Sequence, residues 1–288
     1  MYKVSVPISS AHAKRADRER LLQELKRMDA ERVFLSLGCY ETNAEKRDAA
    51  LAELADNCRF FKKHGYEVGA WIWTFWIQAE SNFRDMRTVK GKDITGHKCP
   101  TDPAFVAFAC DYIQRIAQTG VDLLMFDDDF RYGFQSDAAA CLCDGHITAI
   151  NAITGENSSR EELENYITTG GKNKYRDAFL QVNGDAFRNF ASSVRKAVDA
   201  LDENMRVGFC ACMSSWDLDG TDAYEIACIL AGKTKPFVRL IGAPYWAALN
   251  GWGNLLQDVI ELERMECAWT RKGNIDGTNT LTSEIIAL

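Results

Sequence analysis

A (β/α)8 barrel of the TIM type is the fold class this sequence predicts, on three observations. Short apolar runs rich in β-branched and aromatic residues alternate with amphipathic helical stretches, the rhythm of parallel strands joined by helical crossovers. Those runs are apolar on both faces, as in a sheet covered by helices. At their C-terminal ends almost all of them break into polar or aromatic residues, and that edge of a barrel is where its working loops are built. A doubly wound sheet places its ligands at carboxyl ends only near a switch point, which fits less well.

In chain order the strand runs are "YKVSVPI" (2–8), "RVFLSLGCY" (32–40), "EVGAWIWTFW" (67–76), "DLLMFDDDF" (122–130), "RVGFCACM" (206–213) and "RLIGAPYW" (239–246). Helical spacing of three and four residues marks 17–30, 47–65, 102–120 and 185–202, with a short helix at 160–166. Gly65 and Gly120 stand where two of these helices turn into the next strand. Counting from the first run, "SEIIAL" (283–288) is a seventh strand, so the expected barrel is incomplete at its C-terminal end, with seven strands visible. The segments 81–101 and 130–144 are long and irregular, which in a compact domain marks functional loops.

With 288 residues, 47% of them hydrophobic, the chain can build one sizeable core, and residues 1–288 are read as a single domain. A net charge of -7 without a Lys/Arg stripe argues against nucleic acid or an anionic membrane surface as partner. No stretch has the length and hydropathy of a membrane span, and "MYKVSVPISS" lacks the basic start and long apolar run of a leader. Ten scattered cysteines in a chain of this size read as reduced thiols, hence a cytoplasmic setting. No glycine-rich phosphate loop precedes a helix, so nucleotide chemistry lacks its cradle.

Cys99, Cys141, Cys143 and His146 stand apart from the other thiols. Cys-x-Cys-x2-His supplies three soft or borderline ligands within six residues, and Cys99 from the preceding loop completes a tetrahedral Cys3His set for a structural zinc ion. Four protein ligands close such a site, so the metal would staple two loops and take no part in chemistry. His97 is an alternative ligand or a partner to one.

Three consecutive acids, Asp127, Asp128 and Asp129, end the fourth strand run behind the buried "LLMF". Strand alternation would send Asp127 and Asp129 to one side, with Arg131 available to pair with an acid. Trp73, Trp76, Trp216, Tyr245 and Trp246, at the same mouth, can stack on sugar faces, and Asp217 and Arg131 can bind polar groups of a substrate. Trp71 is better read as core.

An acidic triplet at the end of the fourth strand, a Cys-x-Cys-x2 ligand run and a partner Cys in the loop before it resemble the zinc-containing β-galactosidases of glycoside hydrolase family 42 and their relatives in clan A. The likeness is specific over residues 67–150. It implies hydrolysis of an O-glycosidic bond by two carboxylates, with a carbohydrate as partner. By position, Asp129 takes the place of the family's acid/base Glu, a methylene shorter, with Asp127 as its neighbouring anion. His146 stands where the family has a fourth Cys. The family's nucleophile, a Glu at the end of strand seven, points to Glu284, the only acid of that run, although it stands at the run's beginning; Asp217, Asp219 and Glu41 compete for the role. Two other readings use the same residues: a carbohydrate-binding barrel without catalysis, and a hydrolase whose metal is held by the aspartates and His97.

Overall fold

The structure is a computed structural model; it describes residues 4–78, 80–132, 139–212, 220–221 and 223–241. Six parallel strands form one sheet in chain order: β1 (Val4–Ser9), β2 (Ala30–Gly38), β3 (Glu67–Ile72), β6 (Leu123–Phe126), β7 (Arg206–Cys212) and β8 (Val238–Ile241). Every neighbouring pair is parallel and hydrogen-bonded. This is the strand order of a (β/α)8 barrel over its first six strands, and each of the six runs predicted from sequence is one of them. The seventh run, 283–288, lies outside the described residues.

Among the described residues, the helices that cross between strands are α1 (Ser10–Arg15), α2 (Arg18–Arg27), α3 (Ala44–Lys63), α4 (Pro103–Ala117), α5 (Asp144–Thr154), α6 (Arg160–Thr168), α7 (Lys174–Asp199) and α8 (Ala223–Ala231). Capping follows the expected chemistry: the side chains of Asp17, Asn43, Asp102, Ser159 and Asn173 accept first-turn N–H groups, and Ser159 with Glu162 forms a full capping box. None of these helices is long and apolar enough to cross a membrane.

Alternation along the strands separates two apolar layers. Val33, Leu35, Val68, Ala70, Ile72, Leu124, Phe126, Val207 and Phe209 pack outward in the main core with α3, α4, α7 and α8. Phe34, Leu123, Met125, Cys210 and Phe237 face inward with Trp71 beside them, which confirms Trp71 as a packing residue. Gly69 and Gly208 are inward positions where a Cβ would sit 2.4 Å from the Phe34 ring and 2.7 Å from the Phe237 ring. Their hydrogens leave room for those rings, as the narrow inside of a barrel requires.

The irregular stretch expected at 81–101 contains an antiparallel hairpin, β4 (Asp85–Arg87) and β5 (Asp93–Lys98). Its alternation was hidden because the positions of β5 that turn inward carry Ile94, Gly96 and Lys98, only one of them apolar. Helix α5 begins inside what the sequence suggested was a loop, and α7 starts eleven residues earlier than its most periodic stretch.

Candidate functional site

The four predicted metal ligands meet. Cys99 follows β5, Cys141 and Cys143 lie in the segment that pairs with β4, and His146 sits in the first turn of α5. Their donor atoms all lie within 4.8 Å of one another, and all four residues are buried. Cys99 Sγ is 3.9 Å from Cys141 Sγ, 3.6 Å from Cys143 Sγ and 3.7 Å from His146 Nδ1; Cys143 Sγ lies 3.3 Å from the same nitrogen. Such a group can hold a metal ion.

Backbone pairing sets this convergence: Leu142 N–H donates to Arg87 O at 2.7 Å, Val89 N–H to Ala139 O at 2.8 Å and Cys99 N–H to Arg84 O at 2.9 Å. The surroundings suit thiolates. Arg87 N–H donates to Cys141 Sγ at 3.4 Å, Arg84 Nη1 lies 3.8 Å from Cys143 Sγ, and Thr101 Oγ1 lies 3.0 Å from Cys99 Sγ. On the far side of the imidazole, Tyr132 Oη is 3.3 Å from His146 Nε2, which turns Nδ1 toward the sulfurs. Hydrogen bonds from Cys141 and Cys99 hold the Cys143 thiol far below its ordinary pKa, while burial pushes Cys141 well above it. Burial works to lower His146, but Cys143 and Cys99 outweigh it and raise the imidazole to about 9. His97 is not part of the group. It packs edge-on against Trp76 at 4.6 Å, and burial first, then the charge of Arg131, lowers it to about 4 against the pull of Asp85. No other group of three or more His, Cys, Asp or Glu donors converges among the described residues.

The aspartates do not share a side. Strand β6 ends at Phe126, so alternation no longer governs residue 129. Asp129 is 1% exposed, and its carboxylate accepts the backbone N–H groups of Thr74 at 2.6 Å, Phe75 at 2.8 Å and Trp76 at 3.1 Å. It clasps the loop after β3 instead of facing the mouth. Phe75 anchors the same loop by inserting among Phe105, Phe130, Phe187 and Phe190. Burial raises the pKa of Asp129, while its hydrogen bonds to Thr74 and Phe75 oppose that rise.

Asp127 keeps the inward parity of Leu123 and Met125. Burial pushes its carboxyl up to about 7; Asp128 and Asp129 add to the rise, while its hydrogen bond from Asp128 N–H and the charge of Arg239 on β8 hold it back. Arg239 lies over the Trp71 ring at 4.8 Å and donates to Cys210 Sγ at 3.1 Å, so a guanidinium and a thiol meet inside the strands within electrostatic reach of Asp127. Sequence reasoning missed Arg239, although a charged residue between the apolar Phe237-Val238 and Leu240-Ile241 was the available signal.

Trp73 is 37% exposed and meets Trp76 at 5.8 Å, which gives an aromatic rim on the loop after β3. Arg131 is buried near His97. Glu41 accepts Asn43 N–H at 2.8 Å at the start of α3. Trp216, Asp217, Asp219, Tyr245, Trp246 and Glu284 lie outside the described residues.

Known structures share this fold. The chain is similar to the β-galactosidase of the psychrophilic Marinomonas ef1 (TM-score 0.61, 11% identity, covering 85% of this chain and 41% of that one). It is comparably similar to the β-galactosidase of the Antarctic haloarchaeon Halorubrum lacusprofundi (TM-score 0.61, 12% identity, 83% and 40% covered). The catalytic domain of a β-amylase from Paenibacillus polymyxa matches at TM-score 0.59 and 11% identity, with 94% and 83% covered. The fold is therefore that of barrel glycoside hydrolases, and the chain spans about two fifths of the length of these β-galactosidases. No family model matches the chain, and no curated protein does.

Proposed function

We propose that this chain is the barrel of a glycoside hydrolase and that Asp127, not Asp129, protonates the departing glycosidic oxygen. The observation that carries the reading is the Asp127 carboxyl itself: it directly follows the fourth barrel strand, keeps that strand's inward parity on the side of Arg239, and titrates near 7, so it carries a proton to give at neutral pH. Asp129 has no such freedom, since both its oxygens are committed to backbone N–H groups. The second carboxylate of the pair stays with Glu284, Asp217, Asp219 or Glu41, of which Glu284 best matches the resemblance to family 42. Trp73 and Trp76, with Trp216, Tyr245, Trp246, Asp217 and Arg131, are assigned to sugar binding.

The test is a panel of nitrophenyl glycosides with wild type and Asp127→Asn. The variant should lose a factor of about 100 or more in kcat/KM, the usual scale for a positioned proton donor. Only the protonated carboxyl can donate, so wild-type turnover should fall as pH rises through about 7. Equal rates in the two proteins would overturn the assignment, and sugar binding without turnover by wild type would favour the non-catalytic barrel.

The metal of the Cys3His group is proposed to be zinc in a structural role. Tetrahedral bonds of about 2.3 Å to sulfur and 2.0 Å to nitrogen separate sulfurs by about 3.8 Å and sulfur from nitrogen by about 3.5 Å. The Cys99 pairs at 3.9, 3.6 and 3.7 Å and the Cys143–His146 pair at 3.3 Å lie close to those edges. The ion would supply a closed clamp between β5 and the segment after β6. Three thiolates around a dication leave one net negative charge, which Arg84 offsets from beside Cys143.

Gly145 makes that approach possible, because a Cβ there would lie 2.4 Å from Arg84 Nη1. Gly145→Ala should displace the arginine tip at little cost to the fold, yet speed zinc loss to a chelator several-fold. Unchanged release kinetics would leave Arg84 without a role toward the ion.

A further inference from the structure

A cleft of about 680 Å³ opens beside the aromatic rim, between the loop after β3 and the β4–β5 hairpin. That volume falls within the ~300–1,000 Å³ of small-ligand sites. Trp76 forms one wall. Its indole is held on one side by His97, and Gly96, at φ +90°, lets it lie against β5, since a Cβ there would touch the ring at 3.3 Å. Facing it are Lys98 and Asp85, whose side chains pair at 2.6 Å; Lys98 is only 4% exposed, so the pair is fixed. Gln78, Asn82 and Thr95 add amide and hydroxyl groups to the lining. Trp76 also meets Trp73, which follows β3 directly, so the wall of the cleft is in ring contact with the first residue after the strand.

Glu80 lines the cleft as well, so two acids stand against one cation; an apolar platform beside fixed donors and acceptors, with no excess positive charge, matches a neutral polyhydroxylated ring. It matches a phosphate or carboxylate ligand poorly. We propose that this cleft is a subsite for a sugar unit beyond the cleaved bond, so that the substrate is a neutral oligosaccharide. The inference rests on the glycosidase reading of the mouth and extends it to substrate length.

Binding can be measured without turnover by titrating cellotriose, maltotriose and β-1,4-galactotriose, with glucose and galactose as matched monosaccharides, into the Asp127→Asn protein and following it calorimetrically. One trisaccharide should bind about tenfold or more tighter than its monosaccharide, the scale of one added stacking and hydrogen-bonding contact. Thr95→Tyr, at an exposed strand position that accepts an aromatic residue, should fill the cleft and erase that difference; Trp76→Ala should do the same. Equal affinity for trisaccharides and monosaccharides, no binding of any of them, or a length preference that survives Thr95→Tyr would each overturn the subsite. Wild-type turnover of nitrophenyl glycosides separates the two ideas. Turnover without a length preference sinks the cleft alone, and a cleft-dependent length preference without turnover sinks the hydrolase reading alone.

Discussion

Purified protein should carry about one zinc ion per chain, and the Cys141→Ser/Cys143→Ser double variant should carry none and melt on the order of 10 °C lower. The expectation follows from what the cluster would be without an ion. Beyond their contacts with Tyr132, Arg87, Arg84 and Thr101, four buried polar groups would then meet one another only through weak sulfur contacts, and the segments bearing Cys99 and Cys141 would lose their cross-link. Structural zinc contributes its binding energy directly to the folded state, so even part of the ~10–16 kcal/mol seen in isolated zinc-finger peptides exceeds any single packing contact here. Binding must also displace the protons held by Cys141 and by the His146 imidazole, so metal uptake should weaken as pH falls. Elemental analysis beside a thermal melt checks both. A melt unchanged by the double substitution would reduce these cysteines to packing residues.

Asp129→Asn should destabilise the fold by about 3 kcal/mol or more, because an amide offers one acceptor oxygen where three buried N–H groups of Thr74, Phe75 and Trp76 converge. The amide's own NH2 would face those donors and push them away. Asp127→Asn should do the reverse. The folded pKa of Asp127, about 7, lies above the ordinary 3.8, so the unfolded chain gives up this proton first. From about pH 4 to pH 7 the ionised unfolded state is therefore favoured progressively, and Asp127 subtracts from stability by the full amount above 7. Replacing it should stabilise the protein more at pH 8 than at pH 4. Urea unfolding of both variants at the two pH values gives the comparison, and a stable Asp129→Asn protein would return that residue to the list of candidate acids.

The Cys3His group was legible in the sequence, and the limits of that legibility have physical causes. Cys-x-Cys-x2-His could be read because its ligands are local: an extended Cys141–Cys143 segment entering the first turn of α5 brings them together whatever else the chain does. Cys99 could be paired with them only as a proposal, since its approach depends on hydrogen bonds between residues more than forty positions apart, such as Arg87 N–H to Cys141 Sγ. The distinction between Asp127 and Asp129 could not be read at all. A period of two assigns faces only while the backbone remains a strand, and here the strand stops one residue before the acids.

The sequence by itself determined the six-strand parallel sheet and the four residues of the Cys3His group. Apolar runs of strand length, helical periodicity between them and ligand spacing are properties of neighbouring residues, and local sterics act on those directly. Only the tertiary structure decided which carboxylate is a clasp and which looks inward with Arg239, and that a hairpin carries a cleft beside Trp76. Those outcomes depend on which distant N–H groups and charges meet a given side chain, and only the packed chain can bring them there.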